Sequence, residues 1–476
     1  MNYRRFSFIL SCAAGVGIFL ASNLAEASSG TVSGAIRFHN KNGNYCPSGA
    51  SCTGSLYNHT SYNTLVGVPE IQVQILRFAD LAIIGTGNTD ASGNYSIGWS
   101  SGVGTGNVTA KVRVVYKHKD SRFAFRQLSS GAPAQLINDT SSVVLYHGGN
   151  TVSTWNFGSG GAPHTLMNLY WAAWKMWNKL KLSGRMTSYF TNVDLLAFER
   201  TAAPYYTTTN CATSSCALAA MKNLTAITSP QRPAYANQVP TIILDGDAAT
   251  PYSPQSRVMH EMGHIADFLA GPSAGLVRST GYCYTGVGNC GWTYTSSEYR
   301  PTALSEGLAT FLAVSAFHND NTAETYVCVA NGNAIAVAGT HCYPGGVTGA
   351  YTLEVRPAGA CGGAEGRRAL NAMRFFWDIY DVAADGNDAT DKDFFNILDA
   401  LSTWPCPAYP ACYGAGQLHD QFTNVPSTLY LATPDSSPLT ELDQGNAWSF
   451  RNVMLNNYAP ATDVQGAYYQ NCMATY

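Results

Sequence analysis

The chain has 476 residues, more than one ordinary hydrophobic core accommodates, so two domains are predicted. Only 12% of the residues are charged and the formal net charge is -3. That balance excludes a nucleic-acid partner, because phosphate binding needs a concentrated basic patch and none is present.

The first residues carry the marks of export. Arg4 and Arg5 precede an apolar run from Phe6 to Ala21, and Ala25-Glu26-Ala27 places small residues at the spacing a signal peptidase reads. A signal peptide over residues 1–27 is expected, with a secreted, cell-surface or periplasmic destination. The run is short for a membrane span and is broken by Ser11, Gly15 and Gly17, and no later stretch is apolar enough to span. Cleavage removes Cys12 from a total of 13 cysteines, leaving an even number, which in an oxidising compartment predicts disulfides. Spacing does not fix the connectivity; a nearest-neighbour scheme would pair Cys46 with Cys52, Cys211 with Cys216, Cys283 with Cys290, Cys328 with Cys342 and Cys406 with Cys412, leaving Cys361 for Cys472.

Residues 28–157 read as an all-β domain. Val108, Ala110, Val112 and Val114 alternate with Thr109, Lys111 and Arg113, and Ile71, Val73 and Ile75 repeat the pattern, so each strand has one buried face. Between strands, Thr89-Asp90-Ala91-Ser92-Gly93-Asn94-Tyr95 is a turn in which Asp supplies a local hydrogen bond and Gly an unusual backbone angle. Together with Gly67-Val68-Pro69-Glu70-Ile71-Gln72-Val73, this turn resembles the carboxypeptidase regulatory-like, transthyretin-like β-sandwich family. The resemblance covers about a quarter of the chain and implies an accessory module without catalytic residues.

Residues 158–163, Gly-Ser-Gly-Gly-Ala-Pro, are predicted to be a flexible linker. The second domain, 164–476, opens with a helix whose Leu166, Leu169, Tyr170, Ala173, Trp174, Trp177 and Leu180 form a broad apolar face. His164, at its start, is expected to cap the helix or face solvent. Residues 241–247 are expected to form a short strand ending in a polar turn, either an ordinary sheet strand or one whose free edge would suit an extended substrate backbone.

Arg257 to Gly271 contains His260-Glu261-Met262-Gly263-His264, the H-E-x-x-H pattern. On a helix, residues four apart stand one turn above each other, so His260 and His264 can grip one metal ion together. Glu261 is rotated off that line, where a carboxylate can serve as general base toward an attacking water. Ser253 as N-cap, Pro254 at the first turn and Gly271-Pro272 as a stop bound the helix. A catalytic zinc needs a third protein ligand. A second helix over Pro301–Leu312 holds Glu306 as its lone acid among apolar residues, and a buried carboxylate must be paired or metal-bound. Glu306 is therefore the expected third ligand, with Glu298 as the alternative.

His260-Glu261-x-x-His264 followed by Ser305-Glu306-Gly307-Leu308-Ala309 resembles the gluzincin metallopeptidases, the group that includes thermolysin and fungalysin. The resemblance implies zinc held by His260, His264 and Glu306, with Glu261 as base, in a mainly α zincin-like domain with a small sheet. It implies a peptide or protein substrate and, because no exopeptidase motif precedes the zinc helix, an endopeptidase. Thermolysin-like proteins carry an Asp four residues after the ligand Glu that orients a ligand histidine, and this chain departs from them with Thr310; Asp267, about one turn beyond His264, either supports a ligand histidine instead or is an acid on the helix surface.

Gly362 to Ala384 carries a further apolar helix resembling one late in fungalysin-like proteins. Tyr380, Arg367, His341 and Tyr343 are candidate oxyanion donors. Residues 385–393 gather acids that either hold calcium or cap the next helix. The rival class is an extracellular binding protein with a structural or degenerate zinc domain, which would have no use for an intact Glu261.

Overall fold

The structure is a computed structural model. It describes residues 27–40, 65–102, 104–129, 132–157, 161–197, 217–222, 239–244, 255–270, 300–317, 326–330, 333–336, 349–353, 361, 368–380, 397 and 471–473. The expected signal peptide, the acidic run 385–393 and the cysteines at 46, 52, 211, 216, 283, 290, 342, 406 and 412 lie outside the described residues.

The first part is β throughout. Strand Ser29–His39 anchors a five-stranded sheet and pairs antiparallel with Asn94–Ser100. Strands Ile71–Arg77 and Val108–His118 pair antiparallel in a second, ten-stranded sheet. The predicted alternation is present: Ile71, Val73, Ile75, Ala110, Val112 and Val114 are fully buried, and Tyr95, Ile97 and Trp99 point inward from the opposing sheet. The two sheets meet closely because strand Ile83–Asn88 presents glycines to its neighbour. A Cβ on Gly85 would stand 2.8 Å from the Gly98 carbonyl oxygen, and one on Gly87 would stand 2.7 Å from the Ile97 side chain.

The turn at Asp90 forms as its residue types require. One carboxylate oxygen of Asp90 accepts from the amides of Ser92 and Asn94, both at 2.8 Å, while Gly93 adopts φ +81°. Thr89 closes the far side, accepting from the Ile71 amide at 3.0 Å and donating to the Val68 carbonyl at 2.7 Å.

The large sheet continues past the expected linker. Strand Val193–Leu196 runs parallel to Phe123–Ser129 on one side and to Val239–Leu244 on the other. The two parts of the chain thus contribute to one sheet and to one contiguous apolar core. Helix α1 (Gly161–Leu180) begins within the expected linker and lays Leu166, Leu169, Tyr170, Ala173 and Trp177 into that core. His164 differs from expectation: it is buried, with Nε2 2.6 Å from the His39 carbonyl oxygen. Trp174 donates its indole N–H to Glu70 at 3.0 Å, so a polar contact joins the helix to the sheet beside apolar packing.

Among the described residues four further helices follow: α2 (Gly184–Tyr189), α3 (Gln255–Ala270), α4 (Arg300–Phe317) and α5 (Ala369–Tyr380). α3 ends at Ala270, immediately before the predicted Gly271-Pro272 stop. α4 is apolar nearly all round and correspondingly buried, with Leu304, Leu308, Phe311, Leu312 and Val314 inaccessible. It lies between α3 and α5, and its neighbours approach at glycines: Gly263 of α3 faces the Ala309 backbone, and Gly307 faces Ala372 and the Ala369 carbonyl of α5. A small three-stranded sheet, Tyr326–Ala330 with Asn333–Ala336 and Gly349–Thr352, completes the described part. Cys361 and Cys472 form a disulfide, with Cα atoms 5.4 Å apart, as pairing by remainder anticipated. Beside it Asn471 donates to the buried Asp378 of α5. Among the described residues no helix is long and apolar enough to cross a membrane.

Candidate metal centre

The site is built from two helices. α3 buries Val258, Met259, Met262, Ile265 and Ala266, which fixes its rotation and turns His260 and His264 together toward α4. Their rings lie 4.7 Å apart, centroid to centroid, and nearly perpendicular. α4 brings Glu306 opposite them. One oxygen, Oε2, lies 3.1 Å from His260 Nε2 and 3.4 Å from His264 Nε2.

These separations suit a metal ion. Ligand atoms held at about 2.0–2.1 Å in tetrahedral geometry lie roughly 3.3 Å from one another, close to both histidine–carboxylate distances. The three candidate ligand atoms all fall within 4.8 Å of one another. Two imidazoles and one carboxylate are also the donor types that zinc accepts. The group His260, His264 and Glu306 can therefore hold a metal, and the structure brings together the three residues the sequence singled out.

Electrostatics keep the carboxylate ready as a ligand. Burial alone would raise the Glu306 pKa, yet the charge of His264 and hydrogen bonds from both histidines outweigh it and hold the group well below the usual carboxylate range. Glu306 is thus an anion at neutral pH although its side chain is only 14% exposed. Glu261 lies on α3 next to His260 and is buried.

A contact that the sequence did not reveal supports His260 from behind. Thr310, one turn beyond Glu306, has its hydroxyl 3.0 Å from His260 Nδ1 and donates to the Glu306 backbone carbonyl at 2.9 Å. Threonine back-bonding to the carbonyl four residues earlier is ordinary helix chemistry. Its spacing from Glu306 was the available signal, but the crossing of α3 over α4 was needed to read it.

Other expected participants are placed elsewhere or undescribed. Strand Val239–Leu244 is paired on both sides, with Val193–Leu196 and Ala217–Lys222, so it has no free edge for a substrate backbone. Among the described residues Ala217–Lys222 ends that sheet. Tyr380 is buried, its hydroxyl accepting from Lys179 and its ring against Phe311. Arg367, His341, Tyr343 and Glu298 lie outside the described residues, as does the side chain of Asp267. No protein-family model, curated protein or solved structure matches the chain.

Proposed function

We propose that the chain is an exported zinc metallopeptidase that hydrolyses internal peptide bonds of peptide or protein substrates. One observation carries the reading: His260, His264 and Glu306 converge across two helices, with Glu261 buried beside them in an intact H-E-x-x-H segment. The reading includes the gluzincin resemblance of these motifs and an N-terminal module akin to the carboxypeptidase regulatory-like sandwich.

In this mechanism His260, His264 and Glu306 hold the zinc. The ion, when bound, supplies Lewis acidity to a substrate carbonyl and a water molecule. Glu261 accepts a proton from the attacking water at its carboxylate and delivers it to the departing amide nitrogen, so one group serves as base and then acid. The apolar packing of α3 and α4 holds the ligands at fixed separation and limits the bulk water that would screen these charges.

The test is Glu261→Gln. The variant is expected to retain zinc at the parent's stoichiometry while losing cleavage of a mixed peptide library by at least about a hundredfold, the scale of general base catalysis. A variant as active as the parent would remove the mechanism.

A further inference from the structure

The hydrogen-bonding capacity of Thr310 is divided in a way that bears on the metal. Its hydroxyl has one proton, which is donated to the Glu306 carbonyl at 2.9 Å. Its remaining lone pairs lie 3.0 Å from His260 Nδ1. In the metal-free site Nε2 faces Glu306 Oε2 as a hydrogen-bonding partner; when a metal takes the Nε2 lone pair of the neutral ring, the proton must sit on Nδ1, and the Thr310 hydroxyl oxygen is placed to accept it. We propose that Thr310 is a positioning residue of the metal centre: its hydroxyl holds His260 in the Nδ1-protonated tautomer and couples that ring to the helix carrying Glu306.

Three features of the surroundings favour this role over incidental packing. Thr310 is buried, so water does not readily replace it as the acceptor for Nδ1. Its donated hydrogen bond is local to α4 and keeps the hydroxyl oriented whether or not His260 is engaged. The neighbouring residue Ala309 is where Gly263 of α3 makes its closest backbone approach, so the helices are in register at the level where the hydroxyl reaches the ring. The support is uncharged: it orients the ring without placing a second carboxylate beside Glu306.

The inference rests on the metal-site reading and is independent of peptidase activity. Its test is zinc affinity, measured by competition with a chromophoric chelator, together with thermal melting of the metal-free protein. Thr310→Val preserves the shape and removes the hydroxyl. It is expected to weaken zinc binding about 10- to 100-fold, the usual effect of losing a hydrogen bond to a ligand histidine, with little change in the metal-free melting temperature. Thr310→Ser restores the hydroxyl and should recover most of the lost affinity. Parental affinity in the valine variant, or failure of serine to rescue it, would overturn the proposal. A measurement on the unmodified chain decides the matter even if valine prevents folding. In the zinc-loaded protein the His260 Nδ1 proton should exchange slowly with solvent and show through-space coupling to Thr310. Rapid exchange of that proton would refute the assignment. Zinc binding that depends on Thr310 without any peptide cleavage would leave this inference standing and remove the proposed function instead.

Discussion

Gly263 lies against the backbone of Ala309 so closely that a Cβ added to it would stand 2.9 Å from the Ala309 Cα and 2.9 Å from its carbonyl oxygen. Backbone atoms cannot swing aside as a long side chain can, so any larger residue must push α3 away from α4. Gly263 sits between His260 and His264 in sequence, and Ala309 is three residues beyond Glu306. The glycine thereby sets the separation of the three candidate ligands as well as the packing of the helices.

Gly263→Ala should consequently weaken metal binding more than its single methyl suggests. Overpacking of this kind costs about 1–3 kcal/mol of stability, and zinc affinity is expected to fall at least tenfold because the histidines retreat from Glu306. Chelator competition and thermal melting on one preparation check both effects. Parental affinity would show that α3 can shift without disturbing the ligands.

The Asp90 turn offers a test far from the metal. Asp90→Ala strips the acceptor from the Ser92 and Asn94 amides, and because the turn is exposed, water partly compensates. A loss of about 1 kcal/mol is expected, visible as a lower melting temperature with unchanged zinc content. Loss of zinc in this variant would indicate that the turn is coupled to the candidate metal centre through the shared apolar core.

Acid sensitivity should arise partly at His118. Burial, the leading influence, depresses its pKa below the usual imidazole value of 6.5, against the opposing pull of Glu70 and Asp120 and alongside the smaller repulsion of Lys119. His118 Nδ1 accepts from the Asp120 amide and Nε2 faces Glu70, an arrangement that suits the neutral ring. The unfolded chain takes up a proton at about pH 6.5, so the folded state is favoured above that value and loses this contribution as the pH falls toward the depressed folded-state pKa. Glu70 is depressed as well: burial would raise it, but hydrogen bonds from Lys119, Trp174 and His118 prevail, so its contribution is lost only at lower pH. His118→Gln is expected to flatten the decline of melting temperature as the pH falls below about 6.5. Parallel curves for parent and variant would assign the acid sensitivity to other groups.

Much of this architecture was legible from residue types and spacing. The alternation in Val108–Val114 gave the strand and its inward face, because a period of two leaves little freedom once one side is buried. H-E-x-x-H singled out two candidate ligands for a local geometric reason, and Glu306 followed as the third candidate from the cost of leaving a lone acid in an apolar helix. Longer-range relationships were not legible. Of the two roles weighed for residues 241–247, the ordinary sheet strand is the one present and the free edge is not, because strand neighbours are set by tertiary pairing, with Ala217–Lys222 taking the position beyond Val239–Leu244. His164 was expected at the surface on account of its helix-terminal position, yet the His39 carbonyl meets it in the interior. Thr310 stood in the sequence only as a departure from the thermolysin-like Asp, and its contact with His260 arises from the crossing of α3 beside α4.

The most direct measurement is the metal content of the purified protein, taken together with its cleavage of a mixed peptide library before and after chelation. The account expects one zinc per chain, internal cleavage abolished by the chelator, and cleavage restored by added zinc. Protein that retains no zinc, or cleavage indifferent to chelation, would contradict it.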